Sequence, residues 1–306
     1  SLGGLELTGT EVEALLDSAI VTAYRSRAAI RRPLDSPVQV SVWVIDHLGN
    51  PLGFTRTFDA PVFGIDVSLQ KARTAAFFSS TDAAATLDKA RLTNAVGVFE
   101  DYAGAAKAFV TPTTFSDGVA YSNRAIGNLA RPFFIDGIED GPNGPLSLPF
   151  PGKLPGRSWS PFNVGVQLDL VFQRLVGPLG VPSAPSSIPD TCTDKSIFGR
   201  RLANGIQIFP GAVPIYRGST LIGAVGVSGD GIDQDDMTSF LSSSRRGLDF
   251  AGHTDIGDAE LGFNAPIEKR SDQVIIAARD TARLRYVNCP ESAFIGGDDQ
   301  NVCDGL

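Results

Sequence analysis

Apolar side chains recur at Val12, Leu15, Leu16, Ala19, Ile20 and Ala23. That spacing follows the helical period of about 3.6 residues and predicts an amphipathic helix from about Glu11 to Arg27. Thr8 with Glu11, or Thr10 with Glu13, supplies the hydroxyl and carboxylate three residues apart that form a capping box. The pattern then shortens. Val38 to Ile45 and Leu52 to Phe58 are extended runs rich in β-branched and aromatic residues, and Asp46-His47-Leu48-Gly49-Asn50 is a turn sequence between them, so an antiparallel hairpin is expected. Helical spacing returns over Gly64 to Ser79, with Ile65, Leu69, Ala72 and Ala76 near one face and Phe77 and Phe78 at the end.

From about Thr111 to Pro189 the texture changes to repeated Pro and Gly, as in Pro142-Asn143-Gly144-Pro145 and Pro149-Phe150-Pro151-Gly152. These residues fix turns and interrupt helices, yet the stretch also holds Phe133-Phe134-Ile135, Trp159 and the apolar run Val164 to Val176. It reads as an ordered, loop-rich insertion packed on the main domain. Regular pattern resumes with extended runs at Gly205 to Phe209, Val213 to Tyr216 and Leu221 to Val227, then a helix opening at Asp233. A further helix is expected from Ser271 to about Leu284.

Charge narrows the possible roles. With 26 Lys and Arg against 34 Asp and Glu, the formal net charge is -8, which disfavours the concentrated basic face that nucleic acid requires. No run reaches the roughly 18 apolar residues of a membrane span. Neither the basic nor the apolar region of a signal peptide is visible in the opening Ser1-Leu2-Gly3-Gly4, which leaves a removed signal or a trimmed start as alternatives. The three cysteines, Cys192, Cys289 and Cys303, form no CxxC motif. A bridge between Cys289 and Cys303 would close a short loop, with Cys192 free or paired instead with either one; a secreted or periplasmic location is expected.

Several segments, taken in order, resemble the GlcG/HbpS-like family, whose members are also described as haem-binding or haem-degrading-domain-like. They are Leu7-Thr8 before a helix, Val44 to Leu52, Phe58-Asp59-Ala60, Lys71-Ala72-Arg73-Thr74-Ala75, Pro210 to Ile215 and Gly223 to Gly229. The resemblance covers roughly residues 5–87 and 205–241. It implies an α/β domain of the α+β kind, a profilin-like antiparallel sheet with packed helices, often assembled into homo-oligomers. Its two parts would lie in residues 1–110 and 201–249, separated by the loop-rich insertion 111–200 and followed by a C-terminal extension, 250–306. Such an insertion is tolerable because loop-closure cost rises slowly with length. The resemblance implies a small-ligand-binding or accessory role, with haem as the candidate cofactor and no fixed reaction.

The candidate ligand-binding residues are His47, Lys71, Arg73 and Ser228. Asp46 suits an Asx-turn, and His47 stands beside it, whereas the family pattern often places a histidine where Asn50 stands here. Lys71 and Arg73 are candidates for haem propionates or another anionic group, although residues two apart on a helix point about 200° apart. Ser228 ends an extended run whose glycines suit close strand packing better than a phosphate loop. The candidate metal ligands are Asp233, Asp235 and His253, in acidic surroundings that match no established metal signature; a divalent cation is the lesser expectation beside haem. No GxSxG or HExxH motif is present. Three readings follow: a non-catalytic protein binding a small amphipathic or anionic ligand, an oligomeric structural protein whose insertion contacts a protein partner, and a metal-assisted hydrolase or lyase.

Overall fold

The computed structural model describes residues 6–92, 99–131, 144–147, 165–170, 198–244, 261–278 and 282–306. Helix α1 (Gly9–Arg25) starts at the capping box of Thr8 and Glu11: the Thr8 hydroxyl accepts from the Glu11 N–H, and the Glu11 carboxylate accepts from the Thr8 N–H at 2.7 Å. The hairpin follows as β1 (Ser41–Asp46) and β2 (Pro51–Arg56), then α2 (Gly64–Phe78). Two short Ala-containing helices that the periodicity does not announce come next, α3 (Ala83–Ala90) and α4 (Tyr102–Phe109). The insertion contributes α5 (Asn123–Leu129), capped by the Ser122 hydroxyl. Strands β3 (Ala212–Arg217) and β4 (Thr220–Ser228) and helix α6 (Ile232–Ser242) follow.

The four strands form one antiparallel sheet in the order β2-β1-β4-β3. Alternation divides its side chains between two faces. Val42, Val44, Val213, Ile215, Val225 and Val227 meet α1 and α6 through Leu15, Ala19, Met237 and Phe240. Ile45, Ala212 and Ala224 meet α2 through Ala72, Ala75 and Ala76. The small residues on this second face set how closely α2 approaches. A Cβ at Gly226 would lie 2.1 Å from the Ser68 carbonyl oxygen and 2.7 Å from the Ala72 nitrogen, both backbone atoms that cannot rotate away. Gly226→Ala is therefore expected to cost about 1–3 kcal/mol or more by pushing α2 off the sheet. A fall in the urea midpoint at unchanged slope is the measurement that checks it.

A third apolar cluster gathers beyond the end of α2, where Phe77 and Phe78 pack with Phe115, Tyr121, Ile126, Leu129, Leu146 and Val166. Phe115 packs on Phe78 at the end of α2 at 4.8 Å between ring centres, and Tyr121 packs on Phe115 at 5.1 Å. The fold is an α+β arrangement of a four-stranded antiparallel sheet and packed helices.

Two sequence expectations are corrected. Residues 205–209 join no strand: the Gln207 N–H donates to the Thr74 hydroxyl at 2.9 Å, and its carbonyl accepts from Asn123 Nδ2 at 2.8 Å, so side chains replace a ladder. The helix expected from Ser271 is a single 3₁₀ turn, Ser271–Gln273. Beyond it the N–H groups of Ala277 and Ala278 donate to the carbonyls of Val110 and Phe109, at 2.8 and 3.1 Å, and Ile276 pairs with Ala282. Those bonds to the end of α4 replace the intrahelical ones, and the β-branched run Val274-Ile275-Ile276 suits extended backbone. Cys289 and Cys303 are disulfide-bonded; Cys192 lies outside the described residues.

Candidate functional site: a cationic cleft at one end of the sheet

The β1–β2 turn, the β3–β4 turn and the C-terminal end of α2 meet at one end of the sheet, around a cleft of about 600 Å³. That volume lies within the range typical of small-molecule sites. His47 and Leu48 line it from the first turn, Tyr216 and Leu221 from the β3–β4 hairpin, and Ser79, Ser80 and Asp82 from the segment after α2. Arg201 and Lys269 bring two cationic groups.

Local chemistry fixes each of these positions. Asp46 builds the Asx-turn that carries His47: its Oδ1 accepts from the N–H groups of Leu48 and Asn50 at 2.8 and 2.9 Å, and its Oδ2 accepts from Asn50 Nδ2 at 2.7 Å. Gly49 sits at φ +82°, and a Cβ there would lie 2.7 Å from the Arg201 Cα, so glycine is needed both for the turn and for the approach of the Arg201 segment. The Arg73 guanidinium holds the turn from beneath, donating to the Gly49 carbonyl at 3.0 Å and to Asn204 Oδ1 at 2.8 Å.

Arg201 makes a two-pronged contact with Asp82, at 2.8 and 3.1 Å, donates to the Thr86 hydroxyl at 3.0 Å and lies over the Phe77 ring. Its hydrogen bond holds the Asp82 carboxyl below the ordinary value, against the opposing effect of burial. Lys269 is delivered by backbone pairing between the extension and the insertion: Ala120 donates to the Lys269 carbonyl at 2.7 Å, and Ser271 donates to the Ala120 carbonyl at 3.0 Å. The Lys269 ammonium donates to the Ser219 carbonyl at 3.0 Å and stands 5.9 Å from the centre of the Tyr216 ring. Burial pushes the Tyr216 hydroxyl up, so it stays neutral at physiological pH.

The sequence candidates separate into two groups. His47 lines the cleft and Arg73 braces its turn. Lys71, Ser228, Asp233 and Asp235 gather instead toward the start of α6. The Lys71 ammonium is buried, donating to Asp235 Oδ2 at 2.8 Å and to the Val227 carbonyl at 2.9 Å. Burial pushes the Asp235 carboxyl up to about 6, although the Lys71 charge and hydrogen bond act to lower it. Ser228 is buried in β4 opposite Ser41, whereas Asp46 is paired with Gly223. At about 3.3 Å per residue, Ser228 and the cleft therefore lie ~17 Å apart along the sheet.

Asp233 accepts from Arg124 Nη2 at 2.5 Å, and Asp236 accepts from Arg124 Nε at 2.5 Å. Burial opposes the Arg124 charge, but the two carboxylates outweigh it and hold the guanidinium above its ordinary value. Asp233 and Asp235 thus face different cations. Among the described residues no group of three or more His, Cys, Asp and Glu is placed to hold a metal ion, and His253 lies outside them. Sequence reasoning missed Arg201, Lys269 and Tyr216, which come from three separate segments and share no motif.

The solved structure of Klebsiella pneumoniae protein ORFY, of the DUF336 family, aligns with 79% of this chain and 91% of its own at 17% identity and a TM-score of 0.34. That of a PduOC:heme complex aligns with 78% of this chain and 93% of its own at 13% identity and a TM-score of 0.32. No curated protein matches the chain. The family described as "Haem degrading protein HbpS-like" matches residues 190–239, a stretch that includes Arg201, Tyr216 and Leu221 of the cleft. The chain therefore has a partial similarity to HbpS-like proteins over residues 190–239.

Proposed function

We propose that this protein is a non-catalytic small-ligand-binding protein, and that its cleft takes an amphipathic anionic ligand of the haem class. The observation that carries the reading is the convergence of His47, Arg201 and Lys269 on one cleft with Leu48, Leu221 and the Tyr216 ring. Haem presents an apolar macrocycle, two carboxylates and an iron that accepts an imidazole nitrogen, and the cleft offers apolar side chains, the Lys269 ammonium and the His47 imidazole to these groups. Lys269 would hold a carboxylate, Leu48 and Leu221 would cover apolar surface, His47 is the available imidazole, and Arg201, paired with Asp82, would fix that wall of the cleft. When bound, the haem iron would supply a redox-active centre. The family match over residues 190–239 supports the same reading. The Cys289–Cys303 bridge supports a secreted or periplasmic setting. The profilin-like arrangement, with residues 1–110 and 201–249 as halves of one domain, belongs to this proposal.

Titration of the purified protein with haemin tests it. A saturable change in the Soret band at one haem per chain is expected. His47→Ala should move the band position, and Lys269→Glu should weaken binding about tenfold or more through loss of a charge-assisted contact. Absence of saturation, or identical spectra and affinities in both variants, would remove haem from this cleft.

A further inference from the structure

Arg270, the residue after Lys269, is a buried cation without a counter-charge. Its backbone is extended, at φ -70° and ψ 148°, and is bridged to Ala120. The two side chains therefore leave the segment in different directions, Lys269 toward Tyr216 and Ser219 and Arg270 toward Phe240 and Tyr286. The guanidinium carbon lies 5.2 Å from the centre of the Phe240 ring and 5.4 Å from that of Tyr286, beside a T-shaped pair whose centres are 6.0 Å apart. Arg270 is only 8% exposed. Its Nε donates to the Ala265 carbonyl at 3.0 Å, which accounts for one of the five N–H groups. Among the described residues nothing accepts from Nη1 or Nη2, and no carboxylate forms an ion pair with the group. The two carboxylates that act on the neighbouring Tyr286 hydroxyl, Asp272 and Asp236, are engaged elsewhere: Asp272 by Gln273 Nε2 at 3.0 Å, and Asp236 by Arg124, Gly211 and Asn288.

Tyr286 adds a second donor of the same kind. The residue is buried, and its hydroxyl has no hydrogen-bond partner. Burial pushes this hydroxyl up, so it stays protonated beside the Arg270 charge. A buried hydroxyl and a buried guanidinium both lose their hydration, and the loss is recovered only where an acceptor meets them. The two rings attract the cation but offer no lone pairs to its in-plane N–H groups. Both orphaned groups are donors, so the missing partner is an acceptor. A water molecule would satisfy single N–H groups and leave the charge uncompensated, whereas the planar fork of Nη1 and Nη2 matches the paired oxygens of a carboxylate or phosphate.

We propose that Arg270 and Tyr286 form an internal oxyanion site, which takes one small carboxylate or phosphate against the guanidinium fork and the phenol hydroxyl. Lys269 faces the cleft and Arg270 faces away from it, so this site stands apart from the haem-class reading of the cleft.

Calorimetric titration of the full chain with acetate and with inorganic phosphate, at an ionic strength held constant with chloride, tests the proposal. Saturable uptake of one oxyanion per chain is expected, and the anion that binds more tightly tells a carboxylate site from a phosphate site. Arg270→Met should abolish the uptake. Tyr286→Phe, which deletes only an unpartnered hydroxyl, should weaken it about tenfold or more and leave the urea midpoint in chloride at or above that of the wild type. This second variant keeps the shape of the core, so the test stands even where Arg270→Met fails to fold. The proposal is overturned if neither anion binds saturably, or if Arg270→Met or Tyr286→Phe binds as the wild type does. It is also overturned if Tyr286→Phe lowers the midpoint in chloride, because the hydroxyl then has its partner within the protein.

Discussion

Lys71→Met is expected to lower the folding stability by about 3–5 kcal/mol, the range for removing one partner of a buried ion pair. The ammonium and the Asp235 carboxylate are both nearly inaccessible, at 2% and 3% side-chain exposure, so water cannot replace the lost contact. The substitution also leaves the Val227 carbonyl without this donor. A neutral hydrophobic pair of similar volume should relieve the penalty, so Lys71→Met/Asp235→Leu is expected to recover most of the loss. Urea denaturation of the two single variants and the double variant supplies the cycle. A double variant no more stable than Lys71→Met would show that packing around α2, rather than the stranded carboxylate, sets the cost.

The same pair gives a pH signature whose sign follows from linkage. Asp235 is raised from 3.8 to about 6 in the folded chain. Between those values the folded state holds more protons than the unfolded state. The contribution of this group to stability is therefore fully present below about 3.8 and is lost as the pH rises through about 6. In Lys71→Met the downward pull of the ammonium is gone, the carboxyl rises further, and the loss extends to higher pH. The deficit of the variant should thus be larger at about pH 7.5 than at about pH 5, where the stranded carboxyl is protonated. Equal deficits at the two values would exclude Asp235 as the titrating group.

Periodicity made most of the sheet domain legible. The stripe from Val12 to Ala23, the β-branched runs and the small residues of the Gly223–Gly229 segment report on local geometry, and each names a face that must be covered. The Asx-turn at Asp46 was legible for the same reason, since a carboxylate bonds to N–H groups two and four residues away. Partners across long separations were not. Lys71 meets Asp235 across 164 positions, and Ala120 places Lys269 by strand-like backbone pairing that leaves no periodic trace. Lys71 and Arg73 show the boundary well: helical geometry states that they diverge, but only the fold shows that one meets a buried carboxylate and the other braces the turn that carries His47. The Ser271 helix failed because its window follows composition, while the carbonyls at the end of α4 take its N–H groups.

Asp236→Ala should cost about 3–5 kcal/mol, well above Asp233→Ala, although both carboxylates contact Arg124. Asp236 is fully buried and binds three elements: its Oδ2 accepts from Arg124 Nε at 2.5 Å and from the Asn288 N–H at 3.1 Å, and its Oδ1 accepts from the Gly211 N–H at 2.8 Å. Removing it strands two backbone donors and leaves the Arg124 guanidinium with Asp233 as its remaining carboxylate of the pair. Asp233 is 36% exposed, so solvent screens its pair, and its removal is expected to cost about 1 kcal/mol or less. Denaturation midpoints of the two variants check the ranking, and hydrogen exchange at Asn288 checks the mechanism. That amide lies beside Cys289, so Asp236→Ala should speed its exchange while the disulfide stays intact. If the two variants lose equal stability and Asn288 exchange is unchanged, Asp236 acts only as a counter-charge for Arg124. If the ranking holds and exchange accelerates, this one carboxylate fastens the C-terminal extension, and with it the segment that supplies Lys269 to the cleft, to the sheet domain.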